Sequence, residues 1–210
     1  MRKYLVLAIS IILLLLAGFA IWSFQPVPSV KIGEAGIGKV EDRRIVKSQG
    51  EAAIGGEFNL IDANENKIDE KILQGHFSLV YFGFTSCPAV CPTTLGNITN
   101  ALDRIGDLSD EVQPIFISVD PKRDTPAVMR EYISNFHPSF LALTGTEEQS
   151  KQAASAFKVY FQAENPDAKD YNVNHSDFIY LMDRTGKYVT HFTQEDSAEK
   201  MSQELLRYVR

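Results

Sequence analysis

Residues 78–84 of the chain, SLVYFGF, form a nearly continuous apolar run that is rich in β-forming residues. A strand with one face in water would alternate polar and apolar residues, so this run indicates a strand buried on both faces. Such a strand needs a layer of structure on each side of its sheet. The run therefore predicts an α/β domain whose central sheet is covered by helices on both faces.

The rest of the sequence alternates between short apolar runs and segments with helical periodicity. Thr125-Pro126 marks a helix start, because a hydroxyl N-cap precedes a proline in the first turn. Residues 158–162 and 171–173 fit either a hairpin or one strand and a loop. The order of elements, with a closing hairpin that makes the sheet mixed, predicts a thioredoxin-like fold with additions. We predict strands at 58–62, 78–84, 112–119, 140–143, 178–182 and 187–192. We predict helices at 91–105, 147–157 and 195–208, and a further helix that begins at Pro126. The apolar face of that further helix consists of Val128, Tyr132, Ile133 and Phe136.

Residues 4–24 contain no charged side chain. As a helix they would be roughly 30 Å long, which is enough to cross the bilayer core. Arg2 and Lys3 precede them and favour a cytoplasmic N-terminus. The alternative is a cleaved signal peptide, but its apolar core is normally about 7–15 residues and small residues follow it. Because Trp22 and Phe24 occupy that place, we predict that residues 1–24 are an uncleaved membrane anchor.

The prediction divides the chain into the anchor, a proline- and glycine-containing tether at 25–50, and a folded domain at 51–210. The folded domain would lie on the outer side of the membrane. No arginine-rich transit segment precedes the apolar run, so we expect a single-pass protein of a bacterial inner membrane with its C-terminal domain in the periplasm. The net charge of −6 argues against a nucleic-acid partner.

The two cysteines of the chain, Cys87 and Cys91, lie in the segment TSCPAVCP at 85–92, which follows the first buried strand and opens the next helix. A disulfide between them would close almost no loop, so chain stapling does not explain them. Unpaired N–H groups and the helix dipole at a helix start both stabilise a thiolate and depress its pKa. Their four-residue spacing lets both sulfurs bind one soft ion such as Cu(I), or form a disulfide.

A third ligand would make such a site specific and able to hold Cu(II). The candidates are the four histidines, His76, His137, His175 and His191. His175 comes just before a strand expected near the centre of the sheet, and a loop leading into that strand can pass over the first helix. We therefore select His175, although spacing alone leaves open that it is a hydrogen-bonded loop histidine. His76 fits a turn, His137 a helix end and His191 an exposed hairpin strand.

The segment SVDPKRDTP at 118–126 contains Asp120, Arg123 and Asp124. One interpretation places these charges at the same sheet end as the cysteines, where they guide a partner. The other is loop architecture, in which Asp120-Pro121 makes a turn and Thr125-Pro126 caps a helix. The sequence leaves both interpretations open.

Four segments together resemble the Sco/SenC family of copper metallochaperones. They are GGEFNL at 55–60, YFGFTSCPAVCP at 81–92, SVDPKRDTP at 118–126 and VNHS at 173–176. The resemblance spans about residues 50–210. It implies that Cys87, Cys91 and His175 bind one copper ion per chain, as Cu(I) or Cu(II), on a thioredoxin-like fold.

The resemblance also implies a function and partners. It implies a chaperone, not an enzyme, that receives copper from an upstream donor and assists assembly of the copper (CuA) centre of cytochrome c oxidase subunit II. Reduction of the cysteines of that subunit by the Cys87–Cys91 pair is implied as a second role.

Three other functions remain open from the sequence. The first alternative is a thiol-disulfide oxidoreductase of the cell envelope, although most such enzymes use a C-x-x-C motif and the spacing here is one residue longer. They also share a cis-proline facing the cysteines, where this chain has His175-Ser176-Asp177. A thiol peroxidase would need an arginine beside its cysteine, and none is near in the sequence. A scaffold or redox sensor is compatible with copper binding.

Overall fold

The structure is a computed structural model that describes residues 54–168 and 170–209. The predicted anchor at 4–24 and the tether at 25–50 lie outside the described residues. In the two described ranges, no helix is both long and apolar enough to cross a membrane.

The described residues form a mixed seven-stranded sheet in the order β2-β1-β5-β4-β3-β8-β9 and a separate two-stranded ribbon, β6-β7. Strands β3, β4 and β5 pair in parallel, and every other neighbour is antiparallel. The strands are β1 Asn59–Asp62, β2 Lys67–Asp69, β3 Phe77–Gly83, β4 Val112–Ser118, β5 Leu141–Thr144, β6 Phe161–Ala163, β7 Val173–His175, β8 Ile179–Met182 and β9 Tyr188–Phe192.

The α-helices of the described chain are α1 Val90–Ile105, α2 Pro126–Ile133, α3 Glu147–Ala156 and α4 Ala198–Val209, and short 3₁₀ helices cover Glu70–Leu73 and Gly106–Glu111. Thr125 caps α2 as predicted, because its hydroxyl accepts the N–H of Val128 at 3.4 Å. Thr146 and Gln149 form a capping box that starts α3. Local chemistry thus sets where these helices begin.

Adjacent residues of β3 show that both faces of the sheet are covered. The hydroxyl of Tyr81 contacts Cys91 of α1 on one face, at 3.6 Å from its sulfur. On the other face the ring of Phe82 packs against Phe157, directly after α3, with ring centroids 5.3 Å apart. All seven residues of β3 are buried. The predicted strand buried on both faces, the mixed sheet and the thioredoxin-like α/β architecture are confirmed.

Several local predictions differ from the structure. Strand β2 was not predicted, because it is three residues long and its sequence, Lys-Ile-Asp, carries no clear apolar pattern. Val128 was predicted on the buried face of α2, but it is 39% exposed and Met129 is buried instead. Helix α2 ends at Ile133, so Phe136 lies beyond it.

The segment around His175 also differs from the prediction. Of the two interpretations of its surroundings, the hairpin is correct, because β6 pairs with β7. His175 is the last residue of β7, opposite Phe161, so it does not lie in a loop. Strand β8, which follows it, is next to β3 but only one strand in from the sheet edge.

Candidate metal centre

The cysteines lie where the loop after β3 enters α1. Both belong to the described part of the chain and both are free thiols. The N-cap residue Ala89 offers no side-chain acceptor to the first turn of the helix. Instead, the backbone N–H of Cys91 donates to the sulfur of Cys87 at 3.4 Å. The four-residue spacing therefore places the Cys87 sulfur over the start of α1, where it satisfies one of the unpaired N–H groups of the helix.

The sulfur of Cys91 is enclosed by residues of the two central strands. Its side chain is 0% exposed, and the hydroxyl of Tyr81 donates to it at 3.6 Å. Gly83 lies directly beneath: a Cβ at this position would be 2.9 Å from the Cys91 sulfur and 2.9 Å from Cε2 of Phe116. Glycine at the end of an otherwise bulky strand thus leaves the space that the sulfur fills. A glycine inside a strand pattern is a sequence signal for such an approach.

The expected lowering of a thiol pKa at the helix start is wrong for Cys91. Burial raises the pKa of this thiol to about 12, and hydrogen bonds from the backbone of Phe84 and from Tyr81 offset only part of the effect. The sequence shows the helix start but not the depth of the sulfur, and desolvation penalises the charged form. A metal that binds this sulfur as a thiolate must therefore displace its proton.

His175 brings an imidazole nitrogen to this sulfur. Its Nε2 lies 3.7 Å from the sulfur of Cys91. Its Nδ1 lies 2.8 Å from the carbonyl oxygen of Ser176. Because a carbonyl can only accept, Nδ1 carries the proton of the neutral ring and Nε2 presents a lone pair. Burial lowers the pKa of His175, which favours the neutral form that binds metals.

Aromatic rings support the imidazole, and one side of the site is open. The ring of His175 meets those of Phe84 and Tyr81 edge-on, with centroids 5.8 and 6.2 Å away. Cys87 is partly exposed. It lines a groove of about 400 Å³ together with Val90, His175 and other residues of β7 and of the loop at 84–89, which we name the Cys loop. The arrangement pairs one buried sulfur with one that a partner can reach.

The other histidines make separate contacts. Nδ1 of His137 lies 2.7 Å from the hydroxyl of Ser139, and Nδ1 of His191 lies 2.7 Å from that of Tyr188. His76 precedes β3 and is exposed. Of the four, His175 is the one whose ring contacts a cysteine. Among the described residues, no three His, Cys, Asp or Glu side chains are already arranged around a common metal position, so the three-ligand set stays a prediction.

Asp124 ties the Cys loop to the loop after β4. Its carboxylate is fully buried. It accepts hydrogen bonds from the hydroxyl of Thr85 at 2.6 Å, from the Thr85 N–H at 3.2 Å and from the hydroxyl of Ser118 at 2.6 Å. The predicted turn at Asp120 and the predicted cap at Thr125 are both present. The segment 118–126 therefore lies at the same sheet end as the cysteines.

Asp120 and Arg123 contact Tyr171, a residue that the sequence did not indicate. The hydroxyl of Tyr171 donates to Asp120 at 2.6 Å, and Nη1 of Arg123 donates to the carbonyl of Tyr171 at 2.9 Å. Nε of Arg123 also donates to Asp120. Arg123 is 48 positions from Tyr171 and Asp120 is 51 positions from it, so no local pattern could have linked them.

Fold and site together define a thioredoxin-like protein with a Cys-x-x-x-Cys pair and a histidine at one end of its sheet. The sequence profile described as SCO1/SenC matches residues 46–210. The chain belongs to the SCO1/SenC family.

Individual relatives agree with this assignment. The SCO2-like protein of Rickettsia prowazekii is 49% identical over 150 residues, covering 70% of this chain and 73% of the relative. The copper-bound structure of Bradyrhizobium japonicum ScoI superposes with a TM-score of 0.69 at 41% identity, covering 74% of this chain and 99% of that one. Yeast Sco1 with copper bound gives 0.70 at 40% identity, covering 75% and 88%.

Proposed function

We propose that this chain is a copper metallochaperone that holds one copper ion between Cys87, Cys91 and His175. The observation that carries the proposal is the 3.7 Å separation between the Cys91 sulfur and Nε2 of His175. With bonds of about 2.3 Å to sulfur and about 2.0 Å to nitrogen, as first-row ions make, this separation corresponds to an angle of roughly 120° at the metal. The two groups need little movement to share one ion.

The donor set suits copper in both oxidation states. Thiolates are soft ligands that select Cu(I), and an imidazole nitrogen is a good ligand for Cu(II). Cys87 is the third ligand of the proposed set, because its sulfur lies over the same first turn of α1, 3.4 Å from the backbone nitrogen of Cys91. The copper-bound relatives support the same cargo.

The open groove favours transfer over storage. A partner's ligand can approach the partly exposed Cys87, take over the ion, and leave the buried Cys91 to be reprotonated. The family resemblance names the partners that we propose: an upstream copper donor and subunit II of cytochrome c oxidase, whose CuA centre would receive the ion. The apolar residues 4–24 support anchoring in the bacterial inner membrane with the copper domain in the periplasm.

The pair of thiols also supports a narrower second role as a reductant of that subunit. Oxidation of Cys87 and Cys91 to a disulfide releases two protons and two electrons, which convert a target disulfide into two thiols. The geometry favours Cys87 as the thiol that attacks the target disulfide, because Cys87 is reachable and Cys91 is buried. A general thiol-disulfide oxidoreductase of the cell envelope is the alternative function.

Copper titration tests the proposal. The full-length chain in detergent, with reduced thiols and no oxygen, is titrated with Cu(I) in competition with a chromophoric chelator, and separately with Cu(II). We expect stoichiometric binding of one ion and, with Cu(II), a visible thiolate-to-copper charge-transfer band. The Cys87→Ser/Cys91→Ser double variant should lose both signals. Absence of binding by the wild-type chain would refute the proposal.

An insulin-reduction assay separates the chaperone from the alternative. The chaperone interpretation predicts almost no turnover with a general disulfide substrate. Brisk turnover that disappears in the Cys87→Ser variant would favour the oxidoreductase, because that reaction needs the reachable thiol as its nucleophile.

A further inference from the structure

We propose that Asp120, Arg123 and Tyr171 are positioning residues that hold His175 over the cysteines, and we name these three residues the bracket. The inference rests on the proposed copper function and goes beyond the ligands themselves. It assigns a role to the segment 118–126, for which the sequence left two interpretations open, partner guidance and loop architecture.

The need for a bracket follows from the topology. His175 lies on the β6-β7 ribbon, which forms no ladder with the seven-stranded sheet. Cys91 lies in α1, which directly follows the central strand β3. Two-stranded ribbons are only marginally stable by themselves. The distance between the imidazole and the sulfur therefore depends on the contacts that fix the ribbon to the rest of the domain.

Tyr171, two residues before β7, is fixed in three ways. Its hydroxyl donates to Oδ1 of Asp120 at 2.6 Å. Its carbonyl accepts from Nη1 of Arg123 at 2.9 Å, and its ring lies under the guanidinium, 3.7 Å from the ring centroid. The ion pair between Arg123 and Asp120 closes the triangle. Because two separate groups of Tyr171 are bound and its ring is stacked, the residue has little freedom to rotate or slide.

Burial makes these contacts effective. Asp120 is 4% exposed and Tyr171 is 9% exposed, so water competes weakly for their hydrogen bonds. Nη2 of Arg123 is also buried, and among the described residues it has no hydrogen-bond partner. An unsatisfied guanidinium nitrogen is costly. The planar guanidinium nevertheless stacks on the ring of Tyr171 and at the same time donates to its carbonyl. A lysine has no planar group and could not make both contacts.

The same turn also holds the Cys loop. The hydroxyl of Ser118 donates to Asp124, which binds Thr85, and accepts the N–H of Asp120 at 3.0 Å. One end of the turn thus fixes the loop that carries Cys87, and the other fixes the strand that carries His175. The segment 118–126 contacts both the loop that carries Cys87 and the strand that carries His175. It should therefore affect copper binding by setting the distance between that loop and that strand.

This arrangement predicts a selective defect. Loosening the bracket should displace the imidazole and leave the two sulfurs, which belong to one loop and helix, in place. Substitutions of residues that orient metal ligands commonly cost about 10–100-fold in affinity. We expect Tyr171→Phe to weaken Cu(II) binding at least about tenfold and Cu(I) binding by less than about threefold.

The test is a double-mutant cycle on the full-length chain in detergent. Cu(II) affinity, the charge-transfer band and Cu(I) affinity are measured for wild type, Tyr171→Phe, His175→Ala and the double variant. Tyr171→Phe keeps the ring and removes only the hydroxyl. Arg123→Lys is the second variant, because it keeps the charge and loses the stack. Tyr188→Phe is the matched control, since it also removes one hydrogen-bonded tyrosine hydroxyl, the one that lies 2.7 Å from Nδ1 of His191, outside the bracket.

The expected result is a Cu(II) defect in Tyr171→Phe and in Arg123→Lys, none in Tyr188→Phe, and no further loss when Tyr171→Phe is added to His175→Ala. Wild-type Cu(II) binding in both bracket variants would overturn the inference. So would an equal loss in the presence and absence of His175, because that pattern indicates a general structural defect. If the wild-type chain binds no copper, the proposed function itself fails, and this result is distinct from the others.

Discussion

Nε2 of His175 lies 3.7 Å from the sulfur of Cys91, although 84 positions separate the two residues in the sequence. The sulfur belongs to the first turn of α1 and the imidazole to the last residue of β7. A hydrogen bond from Nδ1 to the carbonyl of Ser176 turns the free nitrogen toward the sulfur. The fold thus supplies a nitrogen donor beside a pair of sulfurs that local sequence already brings together.

The unequal exposure of the two cysteines predicts unequal reactivity. Cys91 is fully buried and burial raises its pKa to about 12, whereas Cys87 is partly exposed. The thiolate is the reactive form, so we expect iodoacetamide to modify Cys87 at least about tenfold faster than Cys91 in the reduced, metal-free chain. Timed alkylation followed by mass spectrometry of the Cys87→Ser and Cys91→Ser variants measures the two rates.

Unfolding provides the control for this experiment. In concentrated denaturant both thiols are exposed, and their rates should become similar. Equal rates in the folded chain, or a faster Cys91, would contradict the burial on which the proposed transfer route depends.

Gly83 offers a test of the space beneath the Cys91 sulfur. Gly83→Ala would place a Cβ 2.9 Å from that sulfur, and overpacking of this kind costs about 1–3 kcal/mol of folding stability. The residue is part of β3, so the substitution changes the available space more than the backbone. We expect a lower midpoint of urea unfolding and a weaker Cu(I) affinity.

Gly96→Ala is the matched control for Gly83→Ala. Gly96 lies in the middle of α1, and a Cβ there meets nothing within 4 Å. Alanine is favoured over glycine inside helices by about 0.5–1 kcal/mol, so this variant should be more stable and bind copper normally. A Gly83→Ala variant as stable as Gly96→Ala would show that the sulfur is not confined as the structure indicates.

The sequence predicted those parts of the site whose causes are local. The apolar run of β3, the helix start at the cysteines and the cap at Thr125 follow from neighbouring residues, and all three are confirmed. The raised pKa of Cys91 depends on burial by distant strands, and the contact between Arg123 and Tyr171 spans 48 positions. Periodicity and motif spacing depend only on residues that are close in the sequence, so they cannot predict such contacts. Two nonlocal features have a visible signal in the sequence: Gly83 is a glycine inside a bulky strand, and His175 comes just before a strand of the sheet.

Asp124 predicts a specific pH dependence of stability. Burial raises the pKa of this carboxyl, and the hydrogen bonds from Ser118 and Thr85 offset only part of that effect. The folded chain therefore holds this proton more tightly than the unfolded chain, in which the pKa is about 3.9. The contribution of Asp124 to stability should fall as the pH rises from that value through the raised pKa, and then level off.

Comparison with Asp124→Asn isolates this contribution, because asparagine does not titrate. Urea unfolding of both proteins is measured from about pH 3.5 to 8, which brackets the ordinary carboxyl pKa. The unfolding free energy of the wild type minus that of Asp124→Asn should be larger at the acidic end. A difference that is constant, or that grows with pH, would show that the carboxylate is better solvated than its burial indicates.

Three of the four histidines give the sharpest test of the ligand assignment. We expect His175→Ala to remove the Cu(II) charge-transfer band, because Nε2 of this residue is the nitrogen beside a cysteine sulfur. Cu(I) should still bind, since the two thiolates remain. His137→Ala and His191→Ala are the matched controls, as their rings bind Ser139 and Tyr188 instead. A band that survives in His175→Ala and disappears in either control would mean that copper takes its nitrogen ligand elsewhere, and the 3.7 Å contact would then have no part in metal binding.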